Sequence, residues 1–404
     1  MIRTCIIGVS GFAAAHYNDL LGEVKSGRMQ ASGATVINPS DESEKCAKLR
    51  ELDCMIFDDY RAMLDDLGSE CDLCLIPTGL PWHARMTCDA FRASMNVLVE
   101  KPAAPTIQEV RAMQEAEAES GRFAAVGYQH IYNPAVQAIK GALLEGLVGE
   151  LHTLKAWGIW PRNDAYYSRN DWAGRLREGP QWVLDSPFNN ALAHYLNLLC
   201  FFAGNRFDAV AQPVTIQAEL YRAHRIESCD TACMRIATGE GPTLYFYATH
   251  CGRAQSEPVL ELQGDRGVLT WDMGRQPSIQ RRGCPSEPIP GIDFRLSRKD
   301  ILDHVEWRIN DPGAFICTLE MAASQTLCAN GAHESSAIHT IPEKYLRREE
   351  EAGSVWTHVE GLDEILMRAK ENDALFSEMG APWAQPERSI DLRNYGAFPA
   401  TGSI

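Results

Sequence analysis

The chain has 404 residues, 45% of them hydrophobic and 23% charged, enough for two domains with cores of their own. Its net charge of −16 argues against nucleic acid as a partner. No apolar run reaches the roughly 18 residues of a membrane span. The start, MIRTCIIGVSG, enters a strand with no secretory pattern.

Up to residue 130, apolar runs at 4–7, 34–37, 55–57, 73–76, 97–99 and 124–126 alternate with helical patterns. That rhythm predicts a parallel sheet with crossover helices. A helix over 134–147 leads out of it. The first strand runs into IIGVSGFAAAHY, with Gly8, Ser10 and Gly11 at a strand-to-helix turn and Phe12 beside them. Glycines there let the backbone approach a pyrophosphate, whose charge suits a helix N-terminus. Ser10 stands where the usual fingerprint has a second glycine. The second strand ends near Asn38, where dinucleotide folds usually carry an acid. Asn38 can bond a ribose hydroxyl without repelling a 2′-phosphate, which leaves NAD and NADP both open, with NAD slightly preferred.

Pro77, Thr78 and His83 follow the fourth strand, and Glu100, Lys101 and Pro102 follow the fifth. Both groups belong at the carboxyl edge of the sheet, where ligands bind in open α/β folds. The charged pair at 100–101 either pairs with itself to end the strand or aims Lys101 at a ligand.

From about residue 150 the pattern turns β-rich and alternating, as in LHTLKAWGIW and PTLYFYATH. It predicts a mostly antiparallel sheet. Within it, LDSPFNNALAHYLN places Ser186 and Pro187 as a helix start near 187, which would put Asn190 and His194 on one helical face, with Asn197 nearby. The polar, aromatic stretch 160–176 holds Arg162, Asn163, Tyr166, Tyr167, Arg169, Asn170 and Trp172, side chains suited to a hydroxyl-rich ring. A further helix is expected at 361–379, then a Pro- and Gly-rich arm over 381–404. The expected domains are 1–130, 131–380 and that arm. The 13 cysteines are scattered. Cys71 and Cys74 form a CxxC inside an apparent strand, and no second CxxC or histidine pair stands at zinc spacing, so no metal is expected. Such cysteine usage suggests a reducing compartment.

The glycine loop, PTGLPWH, EKPAAPT, VGYQHIYNP and the β-rich remainder together resemble the Gfo/Idh/MocA family, the glucose–fructose oxidoreductase and inositol dehydrogenase group. The resemblance covers nearly the whole chain. It implies an α/β Rossmann N-terminal domain and an α+β C-terminal domain with a large, mostly antiparallel open sheet. It also implies a nicotinamide cofactor, a sugar or polyol substrate, a cytoplasmic location, and a homodimer or homotetramer joined through the open sheet.

By the same resemblance His194 is the catalytic histidine and Lys101 the lysine bonding the reacting oxygen. Asn190 falls at the family's aspartate, so Asp185 is the candidate replacement carboxylate. Cofactor contacts are implied at Gly8, Ser10, Gly11, Phe12, Asn38, Pro77, Thr78, His83, Glu100, Lys101 and Gln129. Substrate contacts are implied at Tyr128, Arg162, Asn163, Tyr166, Trp172, Asn190 and His194. The activity expected is that of an NAD(P)-dependent oxidoreductase on a sugar, sugar acid, cyclitol or glycoside. The alternatives are a redox glycosidase working by oxidation, elimination and reduction, and a non-catalytic sensor.

Overall fold

Six short strands joined by five crossover helices build the N-terminal part of the computed structural model, which describes residues 1–289 and 298–400. They are β1 (Ile2–Ile7), β2 (Met29–Thr35), β3 (Met55–Phe57), β4 (Leu73–Ile76), β5 (Asn96–Val99) and β6 (Ala124–Val126). They form one parallel sheet in the order β3-β2-β1-β4-β5-β6. That is the doubly wound dinucleotide order, with its switch point between β1 and β4. β4 is buried along its whole length, as expected of a strand covered on both faces. β2 lies earlier than the sequence pattern placed it, because Gly33 and Ala34 pair with β1 while Val36 and Ile37 have left the ladder.

The described residues form two compact units, 1–104 with 108–128 and 298–322, and 105–107 with 129–289 and 323–400. The return of 298–322 to the first unit departs from the expected boundary at 130. Its helix, Lys299–Asn310, buries Ile301, Leu302 and Val305. Asp303 and Glu306 on that helix pair with Arg28 at 2.5 and 2.9 Å, and the Val126 N–H donates to the Cys317 carbonyl at 2.9 Å. Long-range pairing of this kind leaves no mark in local periodicity.

The second unit begins its sheet with β7 (Leu151–Ile159). Two minor strands, β8 (Arg177–Glu178) and β9 (Gln181–Trp182), pair only with each other. The sheet continues through β10 (Pro213–Arg222), β11 (Thr231–Thr238), β12 (Thr243–Thr249), β13 (Ser256–Gly264), β14 (Gly267–Asp272), β15 (Ser278–Arg281), β16 (Glu287–Pro288) and β17 (Ile338–Thr340). β18 (Leu346–Glu351) and β19 (Ser354–Val359) form a separate hairpin, and β20 (Ser389–Asp391), from the predicted arm, pairs with β10. The order is β16-β15-β14-β13-β7-β12-β11-β10-β17, antiparallel except at β7–β12 and β10–β17.

One sheet face packs against the helix Ala193–Ala203. The other presents Trp157, Ile159, Tyr221, Tyr245 and Tyr247 and is covered by the chain itself, through Leu362, Leu366, Phe376 and Trp383. The cover that the alternating apolar pattern demanded is therefore intramolecular over these residues. The predicted helix over 361–379 is shorter, Leu362–Glu371, and no described helix is long and apolar enough to cross a membrane.

Candidate functional site

At the end of β1 the chain turns through Gly8 (φ 92°) and Gly11 (φ 56°), conformations that favour glycine. The Gly8 N–H donates to the Thr35 carbonyl at 3.0 Å, tying the turn to β2, and the Ala13 N–H donates to the Ser10 carbonyl at 3.0 Å. The helix that follows, Ala13–Lys25, has no acid in its first turn, so its positive end is left for an anion. Nothing stands within 4 Å of where a Cβ on Gly11 would lie. Phe12 (58% exposed) and Ile37 (83% exposed) offer bare apolar surface beside the turn. These features fit a dinucleotide. At the end of β2 the Asn38 amide donates to Asp41 at 3.4 Å. Lys45 donates to the Val9 carbonyl at 2.8 Å and pairs with Glu42 at 2.7 Å. Lys45 and the Ser10 hydroxyl hold the Glu42 carboxyl below the usual range.

The β4 and β5 ends meet within the same unit. His83 is buried, and its nitrogens face the Pro102 and Thr78 carbonyls at 2.8 and 3.0 Å. Burial pulls its pKa down. Expected as a cofactor contact, His83 lies between the two turns and, as a neutral imidazole with a single N–H, donates to one of these carbonyls. Glu100 behaves alike: its carboxylate accepts from His16 Nε2 at 2.7 Å and from the Lys101 N–H at 3.1 Å. Burial alone would raise that carboxyl, but His16, Lys101 and Arg298 outweigh it and hold it at about 2. Glu100 thus pairs with His16. Gly127 lets it sit close, because a Cβ there would meet Glu100 Oε1 at 3.2 Å. Lys101 follows half-buried, and its peptide to Pro102 is cis. Pro77 is buried beside Thr78, whose hydroxyl oxygen is buried with no partner among the described residues.

In the second unit the helix expected from 187 starts at Ala193. Residues 187–192 form turns instead, with the Asn189 and Asn190 N–H groups both donating to the Ser186 carbonyl and Leu192 N–H to Pro187. Asn190 and His194 are therefore not one regular helical turn apart. The Asn190 amide turns back and donates to Asp185 Oδ1 at 2.9 Å, while the Gly174 N–H donates to Asp185 Oδ2 at 2.6 Å. His194, half-buried, lies against His130 with ring centres 4.8 Å apart, and His130 in turn meets Tyr195 at 5.5 Å. Gln129 opens the short turn that carries His130, and Tyr128, in the first unit, is only 1% exposed.

After β7 the chain turns a corner through Trp160, Pro161 and Arg162. Arg162 lies 4.8 Å from the Tyr166 ring centre and 5.6 Å from that of Trp160. Arg169 lies 3.7 Å from Tyr166 and 5.4 Å from Trp172. Asn163, expected to touch substrate, caps the short helix Asp164–Tyr167 by accepting from the Tyr166 N–H at 3.1 Å. The hairpin braces this corner, since Asn163 bridges to Trp356 and the Ala165 N–H donates to Ser354 at 3.2 Å.

Sequence reasoning missed the histidines that hold the corner. His224 Nε2 bonds the Arg162 carbonyl at 3.0 Å and its Nδ1 bonds Asp230 at 2.9 Å, and His250 Nδ1 bonds the Trp160 carbonyl at 2.8 Å. Burial, then the Arg162 charge, pushes His250 down to about 3, so it is neutral. His224 and Arg162 are 62 positions apart, with no motif joining them. His224, Asp230 and Cys251 also gather ligand atoms within 4.8 Å of one another. Asp230 already accepts from the Ala223 and His224 N–H groups, so these residues read as a buried ion pair beside a thiol.

Residues 2–128 match the model of the Gfo/Idh/MocA oxidoreductase family, described as having an NAD-binding Rossmann fold. Among curated proteins it is 25% identical over 163 residues to a dTDP-3,4-didehydro-2,6-dideoxy-alpha-D-glucose 3-reductase of Streptomyces violaceoruber, covering 40% of this chain and 46% of that one. It is 27% identical over 291 residues to an inositol 2-dehydrogenase of Pseudomonas fluorescens, covering 70% and 76%. The chain thus spans under half the length of the first of these relatives. Among solved structures, the WlbA dehydrogenase from Bordetella pertussis, solved with NADH and UDP-GlcNAcA, shares the fold seen here at a TM-score of 0.66. The identity is 20%, over 82% of this chain and 97% of that one.

Proposed function

We propose that the protein is an NAD-dependent oxidoreductase acting on a CH–OH carbon of a sugar, sugar acid, cyclitol or glycoside. The observation that carries this reading is the glycine turn of the family-matched Rossmann unit, with its acid-free helix N-terminus, in the same unit as Lys101 at the end of β5. The names of the relatives, an inositol dehydrogenase and a deoxysugar reductase, support a polyhydroxylated substrate. Bound NAD supplies the hydride acceptor.

Each assigned residue has one task. His194 takes the hydroxyl proton as general base. Lys101 donates a hydrogen bond to the same oxygen as negative charge develops there. Asn190 cannot accept a proton, so the acid of this region is Asp185, and Asn190 orients it.

The test is nicotinamide absorbance with NAD and a panel of sugars, sugar acids, inositols and aryl glycosides. Net NADH formation that is lost in Lys101→Ala and His194→Ala supports the reading. Full turnover in both variants would refute the roles. Aglycone release without net NADH would replace the reading with the redox glycosidase.

A further inference from the structure

The corner after β7 gathers two positive groups and several buried donors; of these, Arg169 donates to the Tyr166 carbonyl at 2.5 Å. Arg162 and Arg169 both lie against the Tyr166 ring, at 4.8 and 3.7 Å from its centre. Neither has a carboxylate within ion-pair distance among the described residues, whereas Arg28 pairs with Glu23, Asp303 and Glu306, and Arg235 with Glu378. Two positive groups sharing one ring repel unless an anion joins them. Buried atoms beside them are also without partners: Arg162 Nε, the Trp160 indole nitrogen and the Tyr167 hydroxyl. Arginine and tryptophan can only donate, so the missing group is an acceptor. An unpaired buried donor costs stability, and one kept for a ligand regains its bond on binding.

The corner is also preformed. Trp160 and Arg162 donate through their N–H groups to Thr249 and His250 at 3.0 Å each, and their carbonyls are held by His250 and His224. His250 is neutral and adds no charge to the corner. The acid that acts on Tyr166 is Asp185, whose oxygens accept from Gly174 and Asn190.

We propose that Arg162 and Arg169, with the Trp160 indole and the Tyr167 hydroxyl beside them, form an oxyanion receptor. The substrate is then a polyhydroxylated acid, a carboxylate or a phosphate ester, rather than a neutral sugar or cyclitol. The word substrate rests on the oxidoreductase reading; the receptor itself does not. The planar guanidinium fork suits the paired oxygens of either anion.

The test is calorimetric titration of the NAD-loaded protein with a hexuronate, a hexose phosphate and the neutral hexose, with NADH followed in parallel. At least one acid should bind about tenfold or more tighter than the neutral hexose, the effect of one charge-assisted hydrogen bond. The tighter acid identifies the source of the oxyanion. Arg162→Gln should abolish the preference, and Arg169→Gln, at an exposed position that tolerates change, should reduce it even if the first variant fails to fold. Acids that bind no tighter than the neutral hexose, or not at all, overturn the proposal. So does a preference that survives both substitutions. Arginine-dependent acid binding without NADH from any compound would keep the receptor and sink the oxidoreductase reading. NADH from neutral hexose without acid preference would do the reverse.

Discussion

The Asn190 side-chain amide donates to Asp185 at 2.9 Å. The Asn190 amide thus holds a carboxylate from five positions earlier. Asn190→Asp would set two carboxyl groups within hydrogen-bond distance, and one of them would keep its proton near neutral pH. The expected outcome is a shifted acid limb in the pH–rate profile, with kcat reduced more than KM changes. An unaltered profile would show that Asp185 takes no part in turnover.

Glu100 has a direct consequence for acid stability. Its carboxyl is held at about 2 in the folded chain, below the ordinary range near 4.5. The unfolded chain therefore binds the proton first as pH falls. The stabilisation is complete above pH 4.5 and is lost between 4.5 and about 2; it is on the order of 3 kcal/mol. Glu100→Gln should flatten urea-unfolding free energies across that window. A wild-type slope retained in the variant would assign the effect to another group.

Cofactor choice follows from charge at the end of β2. Asp41 and Glu42 follow Asn38, and Lys45, which reaches the glycine turn, is paired with Glu42. A 2′-phosphate would meet acids with no free cation supplied by Lys45. The expected KM for NADP exceeds that for NAD by about tenfold or more, and Glu42→Gln narrows the gap by freeing Lys45. Equal KM values in the wild type would contradict this.

The self-covered sheet face carries a stability prediction. Phe376 is fully buried against Tyr221, Tyr247 and Trp383. Phe376→Ala should cost about 3–5 kcal/mol in chemical denaturation. Light scattering should find the wild type unassociated through this face. A loss under 1 kcal/mol, or association that Phe376→Ala abolishes, would mean that the cover is loose.

Asn197 is fully buried, and neither amide atom has a partner among the described residues. Leucine has a similar volume and no polar atoms to leave unpaired. Asn197→Leu should therefore raise stability by about 1–3 kcal/mol. A lower melting temperature would show that the amide is satisfied, by a bound water or by substrate.

The Rossmann half was legible because its signals are local. A glycine pair after an apolar strand, a two-residue alternation and a proline after Lys101 each act within a few residues, through backbone sterics and periodicity. The same holds for the change to alternating strands after residue 150. The start of the helix before His194 was misjudged, since Ser186 and Pro187 begin turns that the chain closes on Ser186 and Pro187 carbonyls before the helix forms. Packing decided the rest. The return of 298–322 to the first unit, the Asp185–Asn190 bond, the two arginines on Tyr166, and the histidines that hold the Arg162 corner join residues whose separation no local pattern records. The sequence by itself determined the dinucleotide architecture and the residues offered at its edge. Only the tertiary structure decided which side chains became braces, such as His83, Glu100 and Asn163, and which donors were left without acceptors, because hydrogen-bond partners are assigned by spatial proximity and burial, not by order along the chain.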